Sequence, residues 1–163
     1  MNDKGLILVS GCLAGVLCKY NGTYNNVPEI IKMVEEGRAI TVCPEILGGG
    51  TVPREPNETL GGDGHRVLDG KARVMTPSGV DCTEMFIRGA VETLKIAEDH
   101  NIKIAILKER SPSCGSSLVY DGTFSGRKIA GSGVTAAILR RAGIKVYSEY
   151  NFREELKKTS MDG

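Results

Sequence analysis

Tryptophan is absent from this 163-residue chain, which holds only three phenylalanines and five tyrosines. An excess of one charge is missing too: 21 basic residues meet 20 acidic ones, for a net charge of +1. No broad basic field exists to gather a phosphate backbone, which argues against a long nucleic acid as the main partner. A small anionic ligand stays open, because a local site can be basic when the whole is not. No apolar run approaches the ~18 residues of a membrane span. The short run near the start lacks a signal-peptide pattern, so a cytoplasmic protein with no membrane partner is expected. There is no C-x-x-C pair, hence neither a zinc ribbon nor a ferredoxin run. The two histidines, His65 and His100, form no pattern, and no Ser-His-Asp order, Walker loop or complete dinucleotide fingerprint stands out. Neither an internal repeat nor an interdomain linker is visible.

What is present reads as one α/β domain over 1–163, with 150–163 as a surface helix or tail, and a monomer is expected. Short apolar segments at 6–9, 39–42, 102–107 and 145–147 read as buried strands. Helical patterns lie at 27–36, 83–100 and 132–142, with a last amphipathic piece at 151–158. Pro28 suits a first helical turn and Gly37 a C-cap, while Thr83 and Ser132 are candidate N-caps. This alternation predicts a mostly parallel, Rossmann-like sheet flanked by helices. The stretch 48–79, rich in Gly, Pro and Thr, is the exception, with one weak strand near 66–75. Loops that long inside a domain are usually functional or disordered.

Five cysteines in a reducing compartment read as thiols, ligands or catalysts rather than disulfides. Cys12, Cys43 and Cys114 each fall just beyond the carboxyl end of an expected strand, the edge where open α/β sheets bind ligands. Three convergent thiolates suggest a soft metal, either zinc, copper(I) or an iron–sulfur cluster, with one coordination position left open. The plainer reading is that they are small buried hydrophobes. Cys18 reads as packing or a spare ligand, and Cys82 as structural. Glu45 lies two residues from Cys43, where a carboxylate can act as a base on water near a metal. Ser111, Ser113, Ser116 and Ser117 crowd hydroxyls around Cys114, which suits anion or substrate contact as well as a plain turn. Lys108 and Arg110 bring positive charge to the same edge, and Gly131-Ser132-Gly133 opens a helix whose N-terminus suits either a phosphate or a simple cap. His100 is expected to meet a helix dipole, and His65 has a weak claim to substrate contact.

Longer motifs sit on these residues: Ser10-Gly11-Cys12-Leu13-Ala14-Gly15, Cys18-Lys19-Tyr20-Asn21-Gly22, and Val42-Cys43-Pro44-Glu45 with Gly48-Gly49. Further on come Lys108-Glu109-Arg110-Ser111-Pro112-Ser113-Cys114-Gly115, Tyr120-Asp121-Gly122-Thr123-Phe124 and Gly133-Val134-Thr135-Ala136. Together, from about residue 5 to residue 149, they resemble the thiouracil desulfidase family. The resemblance implies a 4Fe–4S cluster held by Cys12, Cys43 and Cys114, with one iron free of protein ligand. It implies removal of sulfur from a thiolated uracil base or nucleotide without net redox change. Uracil or UMP and sulfide are the products. Glu45 matches the family's catalytic glutamate, and Ser113, then Ser111, is the serine placed beside it. Two small departures, Gly11 for a frequent alanine and Cys82 for an aliphatic residue, are expected to leave the site residues untouched. Two other readings stay open: a zinc-dependent hydrolase or deaminase on the same cysteines, without the H-x-E and P-C-x-x-C signature, and a non-catalytic iron–sulfur sensor or electron carrier.

Overall fold

A computed structural model describes residues 5–16 and 26–162. Its centre is a four-stranded sheet of β1 (Ile7–Ser10), β2 (Ala39–Val42), β5 (Ile104–Leu107) and β8 (Lys145–Ser148). The spatial order is β2-β1-β5-β8 and every pairing is parallel, with Ile7 opposite Ala39, Leu8 opposite Ala105 and Ile104 opposite Lys145. Parallel strands need both faces covered, and their side chains show it: Leu8, Val9, Ala105 and Ile106 are fully buried. On one face Leu8, Ala105, Leu107 and Val146 pack with Ala97 of α4 (Thr83–Asp99) and Ala136 and Leu139 of α5 (Val134–Arg141). On the other, Val9 and Ile106 meet Ile30 and Met33 of α1 (Pro28–Glu35) and Phe152 of α6 (Phe152–Asp162). Each fully buried Val, Leu, Ile or Phe among these contributes about 1.5–3 kcal/mol of apolar burial. The expected doubly covered α/β sheet is present.

The differences are local and have causes. The third central strand begins at Ile104 rather than 102 because the Ile102 N–H is still given to Ala97 O, through the left-handed Asn101. Thr83 does not cap α4; its Oγ1 accepts the Val74 N–H at 3.0 Å, and Cys82 occupies the cap position. Ser132 does not cap α5 either. Gly133 takes that position, and the Ser132 hydroxyl accepts from Arg140 Nη1 at 2.6 Å. His100 meets its helix end as expected, its Nδ1 3.0 Å from Ile96 O.

The excursion at 48–79 is more ordered than its composition suggests. Two short antiparallel strands, β3 (Glu58–Leu60) and β4 (Arg73–Met75), flank the short helix α3 (Gly64–Leu68). Val67, Ala72 and Val74 form a third core with Phe86 and Ala90 of α4 and Val134 of α5. Asp63 fastens the excursion to α5, its Oδ2 taking the Ser132 N–H at 3.0 Å. A second antiparallel pair, β6 (Leu118–Tyr120) and β7 (Lys128–Ala130), follows β5. The remaining element is α2 (Pro44–Leu47), which packs backbone to backbone on α4 at Gly89. A Cβ at Gly89 would lie 1.9 Å from Pro44 O, so only glycine permits this approach.

Candidate metal centre and active site

The carboxyl ends of β1, β2 and β5 open on one cavity of about 460 Å³. Each strand delivers a cysteine there by a different local device. After β1 the chain makes a single tight turn, Gly11–Ala14, closed by the left-handed Gly15, and Cys12 sits within it. After β2, Cys43 occupies the N-cap position of α2, with Pro44 in the first turn setting the helix direction. After β5, a turn of ten residues returns to β6 and carries Cys114. Cys12, Cys43 and Cys114 all line the cavity, and Cys12 and Cys114 are each only 6% exposed. Cys18 lies outside the described residues.

Burial pushes the Cys114 thiol up to about 12, with the charges of Cys43 and Glu45 adding to it and hydrogen bonds from Ser10 and Ser113 opposing it. Such a sulfur becomes a thiolate only when a cation meets it, since a bound metal ion deprotonates a coordinating thiol outright. Among the described residues, no three His, Cys, Asp or Glu side chains gather around a point that suits a single ion. A polynuclear cluster has a different requirement, because each thiolate binds its own iron and the sulfurs stand apart. The donor set is of the kind an iron–sulfur cluster takes: three soft sulfur ligands from three strand ends on one cavity.

Glu45, in the first turn of α2, also lines the cavity, with its side chain 16% exposed. Arg54 binds a single carboxylate oxygen twice, Nε and Nη2 lying 3.0 and 2.8 Å from Oε1. Burial raises the affinity of this carboxyl for a proton, and the Arg54 charge and hydrogen bonds offset part of that. Among the described residues no hydrogen bond uses Oε2.

The two serines divide. Ser111 lines the cavity, and its Oγ accepts the N–H groups of Ser113 and Cys114 at 3.0 and 2.9 Å. Ser113 is 1% exposed and turns away from the cavity wall, its hydroxyl 2.8 Å from Thr135 Oγ1 on α5. The positive charges are engaged rather than free. Lys108 Nζ is 3.1 Å from Glu149 Oε2, and the Arg110 guanidinium lies over Tyr150 at 5.9 Å. The N-terminus of α5 is taken as well: the N–H groups of Val134 and Thr135 go to Pro112 O and Ser113 O. It braces the Cys114 turn and has no room for a phosphate, since a Cβ at Gly133 would already lie 2.4 Å from Ser113 O. His65 is held by Arg141, its Nδ1 3.2 Å from Arg141 Nε, and is not among the cavity residues. Cys82 packs in the third core, against the excursion.

Two functional-looking residues were not singled out from the sequence. Arg54 comes from the Gly- and Pro-rich excursion, and nothing in its neighbours marks it as the partner of Glu45. Glu109 is the other. It is 5% exposed, and its Oε1 accepts the N–H groups of Ser116, Ser117 and Leu118 at 2.7, 3.0 and 3.1 Å. Its Oε2 takes the Ser116 and Ser117 hydroxyls at 2.7 and 2.9 Å. Burial works against the charge, but these hydrogen bonds outweigh it and hold the carboxyl at about 2. One carboxylate thus shapes the turn that presents Cys114. The crowded serines were the visible half of that arrangement.

Comparison with known proteins agrees with this geometry. A profile of the family described as 2-thiouracil desulfurase matches residues 7–151. The uncharacterized protein YbbK of Bacillus subtilis (strain 168) is 52% identical over 151 residues, covering 93% of this chain and all of that protein. The solved structure of the 4Fe–4S-dependent thiouracil desulfidase TudS superposes with a TM-score of 0.85 at 40% identity, over 97% of this chain and 99% of that one. The chain belongs to the 2-thiouracil desulfurase family.

Proposed function

We propose that this protein is an iron–sulfur-dependent desulfidase that removes sulfur from a thiolated uracil base or nucleotide by hydrolysis. The observation that carries the reading is the meeting of Cys12, Cys43, Cys114 and Glu45 on one cavity at the carboxyl edge of the sheet. The likeness to a 4Fe–4S-dependent thiouracil desulfidase supports it. Cys12, Cys43 and Cys114 would hold the cluster. When bound, a cluster with three protein ligands supplies an open, electrophilic iron that attracts the substrate sulfur and polarises the C–S bond without net redox change.

The chain's own residues do the rest. Arg54 fixes Glu45 through Oε1, which leaves Oε2 to take a proton from water. The water oxygen bonds to the ring carbon, the C–S bond breaks, and sulfide leaves with the proton returned to sulfur. Atoms balance as thione plus water giving carbonyl plus hydrogen sulfide. Ser111 is on the cavity wall, where it can steady the ring or the water. Ser113, its hydroxyl 2.8 Å from Thr135 Oγ1, acts through its chain neighbour Cys114 by fixing the turn. Asn57 and Glu58 add polar groups to the cavity wall, where they can meet the ring's N–H and carbonyl groups.

The test is purification without oxygen, followed by sulfide release from 2-thiouracil and 4-thiouridine monophosphate. Brown protein that releases sulfide supports the proposal. Glu45→Ala should keep the colour and lose roughly 10²–10⁴-fold in rate, the usual contribution of a general base. Full activity in that variant removes Glu45 from the chemistry.

A further inference from the structure

The β6–β7 hairpin places Tyr120 and Phe124 on the wall of the cavity that the cysteines also line. Aromatics are scarce in this chain, eight in all, and two of them line this cavity; Tyr120 already carries Lys128 over its ring at 5.4 Å. Phe124 also has a backbone φ of 56°, in the left-handed region that a bulky side chain rarely adopts. Such strain persists only where the surroundings over-determine it, and it concentrates at ligand clamps.

The surroundings here are specific. Glu58, at the start of β3, points one oxygen at the hairpin tip. Its Oε1 accepts the N–H groups of both Gly122 and Phe124 at 3.0 Å. Gly122 lets the tip seat against β3, because a Cβ there would lie 2.7 Å from Thr59 O. Asp121 closes the turn by taking the Thr123 N–H at 2.9 Å. The tip is thus docked on β3, and Phe124 is held on the cavity wall in a left-handed conformation.

We propose that Phe124 is the surface on which the substrate ring stacks, and that Glu58 is the positioning residue that holds it there. The stacking face then requires the substrate ring to be flat and conjugated. A saturated ring of the same hydrogen-bonding pattern loses the stacking face. This rests on the desulfidase reading above for the identity of the ring, but not for the stacking itself.

Calorimetric binding of uracil and of 5,6-dihydrouracil to the cluster-containing protein tests it. Wild type binds uracil more tightly than dihydrouracil. Phe124→Leu, which keeps apolar bulk but removes the π face, weakens uracil roughly tenfold and erases the difference, consistent with base–aromatic stacking. Phe124→Tyr restores it. Glu58→Ala follows Phe124→Leu, and Glu58→Gln, which retains a carbonyl acceptor, falls between. In sulfide release from 2-thiouracil the same variants raise KM and leave kcat and the visible spectrum unchanged. Phe124→Leu binding uracil as tightly as wild type overturns the proposal, as does equal affinity of wild type for the two rings. If uracil binding behaves as expected but no thione releases sulfide, the desulfidase reading fails and the stacking wall stands.

Discussion

Glu109→Gln is the substitution that most sharply probes how the Cys114 turn is held. The carboxyl lies at about 2 in the folded chain against an ordinary 4.5. Each tenfold change in proton affinity is about 1.4 kcal/mol, so the ionised Glu109 contributes ~3 kcal/mol. Because the folded value is the lower one, that contribution is complete above about 4.5 and is lost as pH falls from there towards 2. Gln keeps one acceptor and turns an NH₂ group against the hydroxyl and N–H donors that now bind the carboxylate. Near neutral pH the variant should therefore be less stable by about 2–3 kcal/mol, or ~5–10 °C in Tm for a chain of this size. Urea unfolding of both proteins, stripped of metal by chelator so that acid-labile iron does not intrude, measures the gap. The gap should shrink as pH is lowered through 4.5. A gap below ~0.5 kcal/mol at pH 7, or one indifferent to acidification, refutes the role assigned to Glu109.

Gly89→Ala forces a Cβ to within 1.9 Å of Pro44 O, so α2 must shift on α4 and carry Glu45 with it. Destabilisation of about 1–3 kcal/mol is expected, with a fall in desulfidation at temperatures where the variant remains folded. Gly5→Ala, where a Cβ meets nothing within 4 Å, is the matched control and should change neither stability nor rate. Thermal melts and sulfide release on the same samples decide both.

Much of the architecture was legible because its elements are strongly patterned. Ile104–Leu107 is an unbroken apolar run, and Phe86, Ala90 and Ala97 recur at helical spacing on the buried face of α4. The three-residue strands β3, β4, β6 and β7 carry too little sequence to show a period, and their pairing with distant partners cannot be read locally. The caps misled for a related reason. Thr83 and Ser132 have the right chemistry for an N-cap, yet Val74 N–H and Arg140 compete for their oxygens from other elements. At the site, position after a strand end was enough to gather the three cysteines, because the sheet's carboxyl edge is a shared place whatever the loop lengths. Which serine faces the cavity was not, since Ser111 and Ser113 sit two residues apart in an irregular turn whose path depends on Glu109 and α5. Arg54 meets Glu45 nine residues away and Glu109 meets Ser116 to Leu118 seven to nine residues on, spacings that no helix or strand period marks.

Cys12, Cys43 and Cys114 are proposed to hold one iron–sulfur cluster together. Iron and acid-labile sulfide, quantified per chain after strictly anaerobic purification, test it in wild type and in Cys12→Ala, Cys43→Ala, Cys114→Ala and Cys82→Ala. The account predicts about four of each per chain in wild type and in Cys82→Ala, and loss of both in each of the other three. Stoichiometric zinc without iron in wild type, or an intact cluster in any of those three variants, contradicts it.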